Sequence, residues 1–118
     1  MERLRKRADF LMVAKGSRIP TAAFVLQALD RGDGGSIRVG FTVSRKVGSA
    51  VERNRVRRRL KEVLRLVERA GLPRGHDYVL VGRRAALSLP FDQLSSDFSR
   101  AVARLRAGRD RLNMIAGT

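Results

Sequence analysis

The sequence predicts an α+β fold, a two-layer sandwich of a small sheet packed by helices, with elements in the order α-β-β-α-β-α. Three observations carry that expectation. Two strand-like apolar runs flank a glycine-rich turn at residues 30–35. A helix with a full start signal and a single apolar stripe begins near residue 50. A short apolar run then precedes a last stretch of helical period.

Ala8 to Lys15 reads as a short helix, with Phe10, Leu11, Val13 and Ala14 apolar and Gly16 as its stop. Thr21 to Leu29 is a strand-compatible run containing Phe24, Val25 and Leu26, and Asp30-Arg31-Gly32-Asp33-Gly34-Gly35 is a turn. Ile37 to Val43 reads as a second strand, so residues 21–43 are expected to form a hairpin with a long loop. Ser49 and Glu52 match a capping box, in which serine bonds the third helical N–H and glutamate reaches back to the cap. Val56, Leu60, Val63, Leu64 and Val67 follow as one stripe of a 50–69 helix, which Gly71 and Pro73 close. Asp77 to Gly82 is a short buried-strand candidate. Pro90-Phe91-Asp92 opens a last helix with Phe91, Leu94, Phe98, Val102 and Leu105 toward the core and Gly108 at its end. A chain of 118 residues fits a single domain over 1–118, with residues 1–7 and 109–118 expected to be loosely held.

Composition narrows the function classes. With 26 Lys+Arg against 11 Asp+Glu, the formal net charge is +15, which implies a polyanionic partner. No apolar run approaches the length of a membrane span, so no membrane partner is expected. The basic N-terminus lacks the apolar core and cleavage site of a signal peptide, so the cytoplasm is the default expectation. The absence of cysteine excludes disulfides, thiolate catalysis and cysteine-held metal. The carboxylates are scattered, and the single histidine, His76, follows Arg74-Gly75 with no evident acid or nucleophile beside it. No catalytic residue, no metal site and no small-molecule substrate is therefore expected in this chain.

The charge is concentrated. Residues 38–65 hold ten Lys/Arg against Glu52 and Glu62, a net of +8. At about 100° per residue, Asn54, Arg58, Lys61 and Arg65 fall opposite the apolar stripe, with Arg57 and Arg55 on either side. Arg53 lies nearer the apolar edge but in the first turn. Cations in the first half of a helix oppose its macrodipole by about 0.3–1 kcal/mol each. A helix selected for stability alone would place acids there. Cations one turn apart suit successive phosphates of a structured nucleic acid.

The stretch from Arg38 to Glu62, RVGFTVSRKVGSAVERNRVRRRLKE, resembles the R-x-G-x-x-V-S-K-K-x-G-x-A-V-x-R-N-R-x-K-R signature of the bacterial ribonuclease P protein family. The resemblance extends to Asp9-Phe10, to Phe24-Val25-Leu26, and to Asp77-Tyr78-Val79 followed by Arg83-Arg84. It implies a mixed sheet with a left-handed β-α-β crossover, against the usual right-handed rule. It also implies a protein cofactor of a ribonucleoprotein endoribonuclease whose catalytic site, with Mg2+, lies in the RNA subunit. The implied partners are ribonuclease P RNA and precursor tRNA, from which the holoenzyme removes the 5′ leader.

By match, Arg53, Asn54, Arg55, Arg57, Arg58 and Lys61 would contact the RNA subunit, joined by Arg45 and Lys46 from the preceding loop. Phe10, with Ala14, Phe24, Gln27 and Arg38, would line a cleft for the single-stranded leader. Three positions depart from the family pattern. Ala14 stands where a second aromatic is frequent, Gln27 where some members carry a tyrosine, and Ser49 where asparagine is usual. Fewer stacking platforms, each worth about 1–3 kcal/mol per base, would alter leader affinity and preference. The competing class is a structural RNA-binding protein of ribosomal type without a role in cleavage, and an architectural DNA-binding protein comes third.

Overall fold

The computed structural model describes residues 1–66 and 71–116, with 109–116 as backbone only. Its elements are β1 (Glu2–Arg3), α1 (Arg7–Val13), β2 (Ser17–Pro20), β3 (Phe24–Asp30), β4 (Arg38–Thr42), a 3-10 turn (Arg45–Val47), α2 (Ala50–Leu64), β5 (His76–Gly82), a second 3-10 turn (Arg84–Leu87) and α3 (Phe91–Ala116). They build one mixed five-stranded sheet in the order β1-β4-β5-β3-β2. β5 pairs parallel to β4 and antiparallel to β3, and β1 adds parallel to β4. A strand covered on both faces reads as a nearly continuous apolar run, and Tyr78, Val79 and Leu80 of β5 are all buried. β4, α2 and β5 thus form a β-α-β unit between adjacent parallel strands.

The α+β sandwich stands, but the expected hairpin over 21–43 does not. β3 and β4 never pair, because β5 lies between them: Asp30 is opposite His76 and Arg38 opposite Asp77. The loop between β3 and β4 turns at Gly32 and Gly34, both at positive φ, yet it spans the width of an inserted strand. Arg31 braces that span, donating to Asp77 at 2.6 Å, to the His76 carbonyl at 3.0 Å and to the Ser36 carbonyl at 2.6 Å. The hairpin that does form joins β2 to β3, closed by Thr21, whose hydroxyl donates to the Phe24 carbonyl at 2.7 Å. β2 is short, polar and ends in Pro20, as tolerated only on an edge.

Both chain ends also differ from expectation. Residues 1–7 are no loose arm throughout: Glu2 and Leu4 donate to the Ile37 and Val39 carbonyls at 3.0 and 2.9 Å, and Leu4 is buried. α3 runs through Gly108 to Ala116, while 117–118 lie outside the described residues. An interior glycine costs about 1 kcal/mol relative to alanine, too little to end a helix anchored by Leu94, Phe98, Val102 and Leu105. Phe91, expected in that core, is 40% exposed instead. It sits in the first turn of the helix.

The two sheet faces are covered unequally. On one face α2 and α3 bury Phe24, Leu26, Tyr78, Leu80, Val56, Leu60 and Phe98 in the main core, with the Phe24 and Phe98 rings 6.1 Å apart. α2 lies so close to β5 that a Cβ on Gly82 would stand 2.7 Å from Val56 Cγ1. On the other face, among the described residues, α1 alone packs, gathering Leu4, Val13 and Val79 with part of Phe10. Phe10 lies over Gly40, where any Cβ would meet its ring at 2.5 Å. A seven-residue helix cannot cover a five-stranded sheet, so part of this face stays open.

Candidate nucleic-acid interface

α2 begins on the capping box expected from its sequence. The Glu52 N–H donates to Ser49 Oγ at 3.2 Å and the Ser49 N–H to Glu52 Oε1 at 3.0 Å. These bonds, the backbone one foremost, with Arg84 beside them, hold the Glu52 carboxyl below the ordinary carboxylate range. Arg84 also donates to the Val47 carbonyl at 2.6 Å and approaches Glu52 Oε2 at 3.2 Å. It thereby fixes the 3-10 turn bearing exposed Arg45 and Lys46 against the helix start. Val56, Leu60 and Val63 are buried and Leu64 is half-buried, while Val67 and the helix end near Ala70 lie outside the described residues.

The outward face is cationic. Arg55, Arg58 and Lys61 are exposed and make no ion pair or hydrogen bond within the described residues. Arg57 donates to Asn54 Oδ1 at 3.0 Å, which orients the amide, and Arg65 lies 3.6 Å from Glu62. Arg53 is half-buried, and its Nε is enclosed without a partner. Arg59 belongs to the scaffold, since its guanidinium donates to the Ala86 and Leu89 carbonyls at 2.7 and 2.5 Å. Holding three unpartnered cations on one rigid face brings no stability, but it presents a template for phosphates.

The second surface is an open groove of about 450 Å³ between α1 and the uncovered sheet face. Phe10, Ala14 and Gln27 meet there as expected, together with Leu11, Val79 and Val81, and Arg5 and Arg7 stand at its rim. Phe24 does not. It is fully buried in the main core, on the opposite face from Gln27. Side chains alternate along a strand, so residues 24 and 27 of one strand cannot share a face. That period was visible in the sequence, and it excludes Phe24 from any cleft containing Gln27.

Arg38 does not line this groove either. Its guanidinium grips Asp77 through two bonds of 2.7 and 2.6 Å and lies 4.0 Å from Asp9 of α1. Arg31 reaches the same carboxylate. Burial pushes the Asp77 carboxyl up, but the bonds from Arg38 and Arg31 outweigh it and hold the group below its ordinary value. Arg38 therefore ties β4 to β5 through Asp77 and stands beside Asp9 of α1. Arg5 and Arg7 are not legible as groove residues in the sequence, because a basic N-terminus carries no period that would place it.

Fold and surfaces together define a class: a small α+β domain with a cation-bearing helix on one side of its sheet and an amphipathic groove on the other. No three His, Cys, Asp or Glu side chains converge among the described residues, and no helix there is long and apolar enough to cross a membrane. The family model for ribonuclease P matches residues 1–106. The ribonuclease P protein component of Gluconacetobacter diazotrophicus is 48% identical over 103 residues, covering 86% of this chain and 89% of that one. The corresponding protein of Ruegeria pomeroyi is 50% identical over 108 residues, covering 88% and 86%. Among solved structures, the Thermotoga maritima ribonuclease P protein superposes with a TM-score of 0.73 at 28% identity, covering 88% of this chain and 97% of that one. The Staphylococcus aureus protein gives 0.72 at 25%, covering 90% and 95%. The chain belongs to the bacterial ribonuclease P protein family.

Proposed function

We propose that this protein is the RNA-binding cofactor of ribonuclease P, docking on the catalytic RNA through α2 and holding the single-stranded 5′ leader of precursor tRNA in the α1 groove. The observation that carries this reading is the pairing of three unpartnered cations, Arg55, Arg58 and Lys61, on one side with a groove on the far side of the sheet. On α2, Arg45, Lys46, Arg53, Asn54, Arg57 and Arg65 extend the phosphate-facing surface. In the groove, the edge of Phe10 and the apolar floor of Val79 and Val81 offer base contacts, and Arg5 and Arg7 meet the backbone. In this reading the protein supplies position and charge, while Mg2+ chemistry belongs to the RNA. This division places the protein in tRNA maturation as a subunit of an endoribonuclease, in the compartment where tRNA is made.

Reconstitution tests it. Added to a ribonuclease P RNA at low magnesium, the protein is expected to stimulate cleavage of precursor tRNA. The stimulation should shrink as the leader is shortened to a few nucleotides. A ribosomal-type structural protein would leave the cleavage rate unchanged at every leader length, and cleavage by the protein without RNA would refute the reading outright.

A further inference from the structure

Phe91 is the one apolar member of its stripe on α3 that the core leaves out. Leu94, Phe98, Val102 and Leu105 are each at most 9% exposed, against 40% for Phe91. Its ring borders an open cleft of about 670 Å³, whose other lining includes Arg55, Arg58, Lys61 and Arg65 of α2. That volume is within the range of ligand-sized clefts, roughly 300–1,000 Å³. Glu62 is the single acid in the lining, and Arg65 stands 3.6 Å from it. The cleft is also braced. Arg59, tied to the Ala86 and Leu89 carbonyls, holds the segment leading into Phe91 against α2.

We infer that this cleft is a nucleotide subsite, in which Phe91 stacks on an unpaired base of the RNA bound by α2 while the neighbouring cations take its phosphates. A nucleotide has a flat apolar half and an anionic half, and the cleft sets an aromatic face beside a row of cations in the same order. A cationic ligand would be repelled, and a purely apolar one would leave five cations and a single acid in its wall. The inference rests on the proposed binding of RNA by α2. It adds a site in which recognition extends beyond phosphates to an unstacked base.

The chain has no tryptophan, so Phe91→Trp installs a single fluorescent reporter. Phe91→Leu keeps apolar bulk but removes the aromatic face. With ribonuclease P RNA as the ligand, Phe91→Leu is expected to bind roughly tenfold more weakly. Its melting temperature and salt slope should be unchanged, since no core contact and no phosphate contact is lost. Phe91→Trp should bind close to the wild-type level, with its emission quenched as RNA is added. Equal binding by Phe91→Leu, or indole emission indifferent to RNA, would overturn the subsite while leaving the function of α2 intact. A response to polyglutamate but not to RNA would assign the cleft to an acidic protein and overturn it too. Failure of the wild-type chain to bind RNA at all would remove both readings.

Discussion

Replacing Arg55, Arg58 and Lys61 together with alanine is expected to lower affinity for ribonuclease P RNA about a thousandfold and to leave the fold intact. Each charged hydrogen bond to a phosphate contributes about 1.5–3 kcal/mol net, so three of them amount to at least three decades in Kd. All three side chains are exposed, and none has a partner within the described protein. Nothing in the core is touched, and alanine is the best helix former. Arg55 and Arg58 lie outside the end turns of α2, and Lys61 in the last turn gives up a favourable contact with the helix dipole of a few tenths of a kcal/mol. The melting temperature should therefore hold or fall only slightly. Binding measured across a salt series gives a second readout, because each lost phosphate contact flattens the dependence of log K on log salt by about 0.7–0.9. An affinity loss without a change of slope would mean that these residues act on something other than phosphates.

Asp77→Ala is expected to have the largest effect on stability. Asp77 is 3% exposed and receives bonds from both Arg31 and Arg38, so its loss removes their shared acceptor beside the central strand, leaving Arg31 with Asp33 and two carbonyls and Arg38 near Asp9. Removing one partner of a fully buried pair costs about 3–5 kcal/mol, and with these remaining contacts the low end, about 3 kcal/mol, is expected, still a large share of the 5–15 kcal/mol typical of a domain. Arg31 braces the β3–β4 span and Arg38 lies 4.0 Å from Asp9 of α1, so the groove should loosen along with the fold. The pH dependence follows from the depressed pKa of the group. A carboxyl held low in the folded state stabilises it at pH values above the unfolded pKa of about 3.9, and that contribution is lost as pH falls through the folded value. Urea titrations should therefore show a wild-type advantage over Asp77→Ala that is constant near neutrality and shrinks as pH drops below about 4. An advantage independent of pH down to 2 would show that shape rather than charge holds this junction.

What was legible in the sequence was local. The Ser49–Glu52 capping box and the Val56, Leu60, Val63 stripe are set within one or two turns, and the structure reproduces both. Strand neighbours were not legible, because the partner of Asp30 is His76 and no nearby signal announces a strand inserted from that distance. β2 was hidden by its polar residues and Pro20, and β1 by the short basic stretch containing it. The cationic face of α2 could be read from helical period alone. The groove could not, since it is assembled from α1, β3, β4 and β5, and one of its expected members, Phe24, violated the two-residue strand period. Phe91 kept the helical period yet escaped burial, because a period assigns a face and not the presence of something to cover it.

In the proposed function the two faces of one sheet serve two separate RNA contacts. Ala14→Glu tests it directly, since Ala14 is exposed at the groove and distant in the chain from every residue of α2. The measurement is the Kd of the reconstituted ribonucleoprotein for precursor tRNA and for mature tRNA, with the Kd of the protein for the RNA subunit taken alongside. A carboxylate facing the leader backbone is expected to weaken precursor binding roughly tenfold, with mature tRNA and RNA-subunit affinities unchanged. Equal losses for precursor and mature tRNA, or a loss of RNA-subunit affinity, would contradict the assignment of the leader to this face.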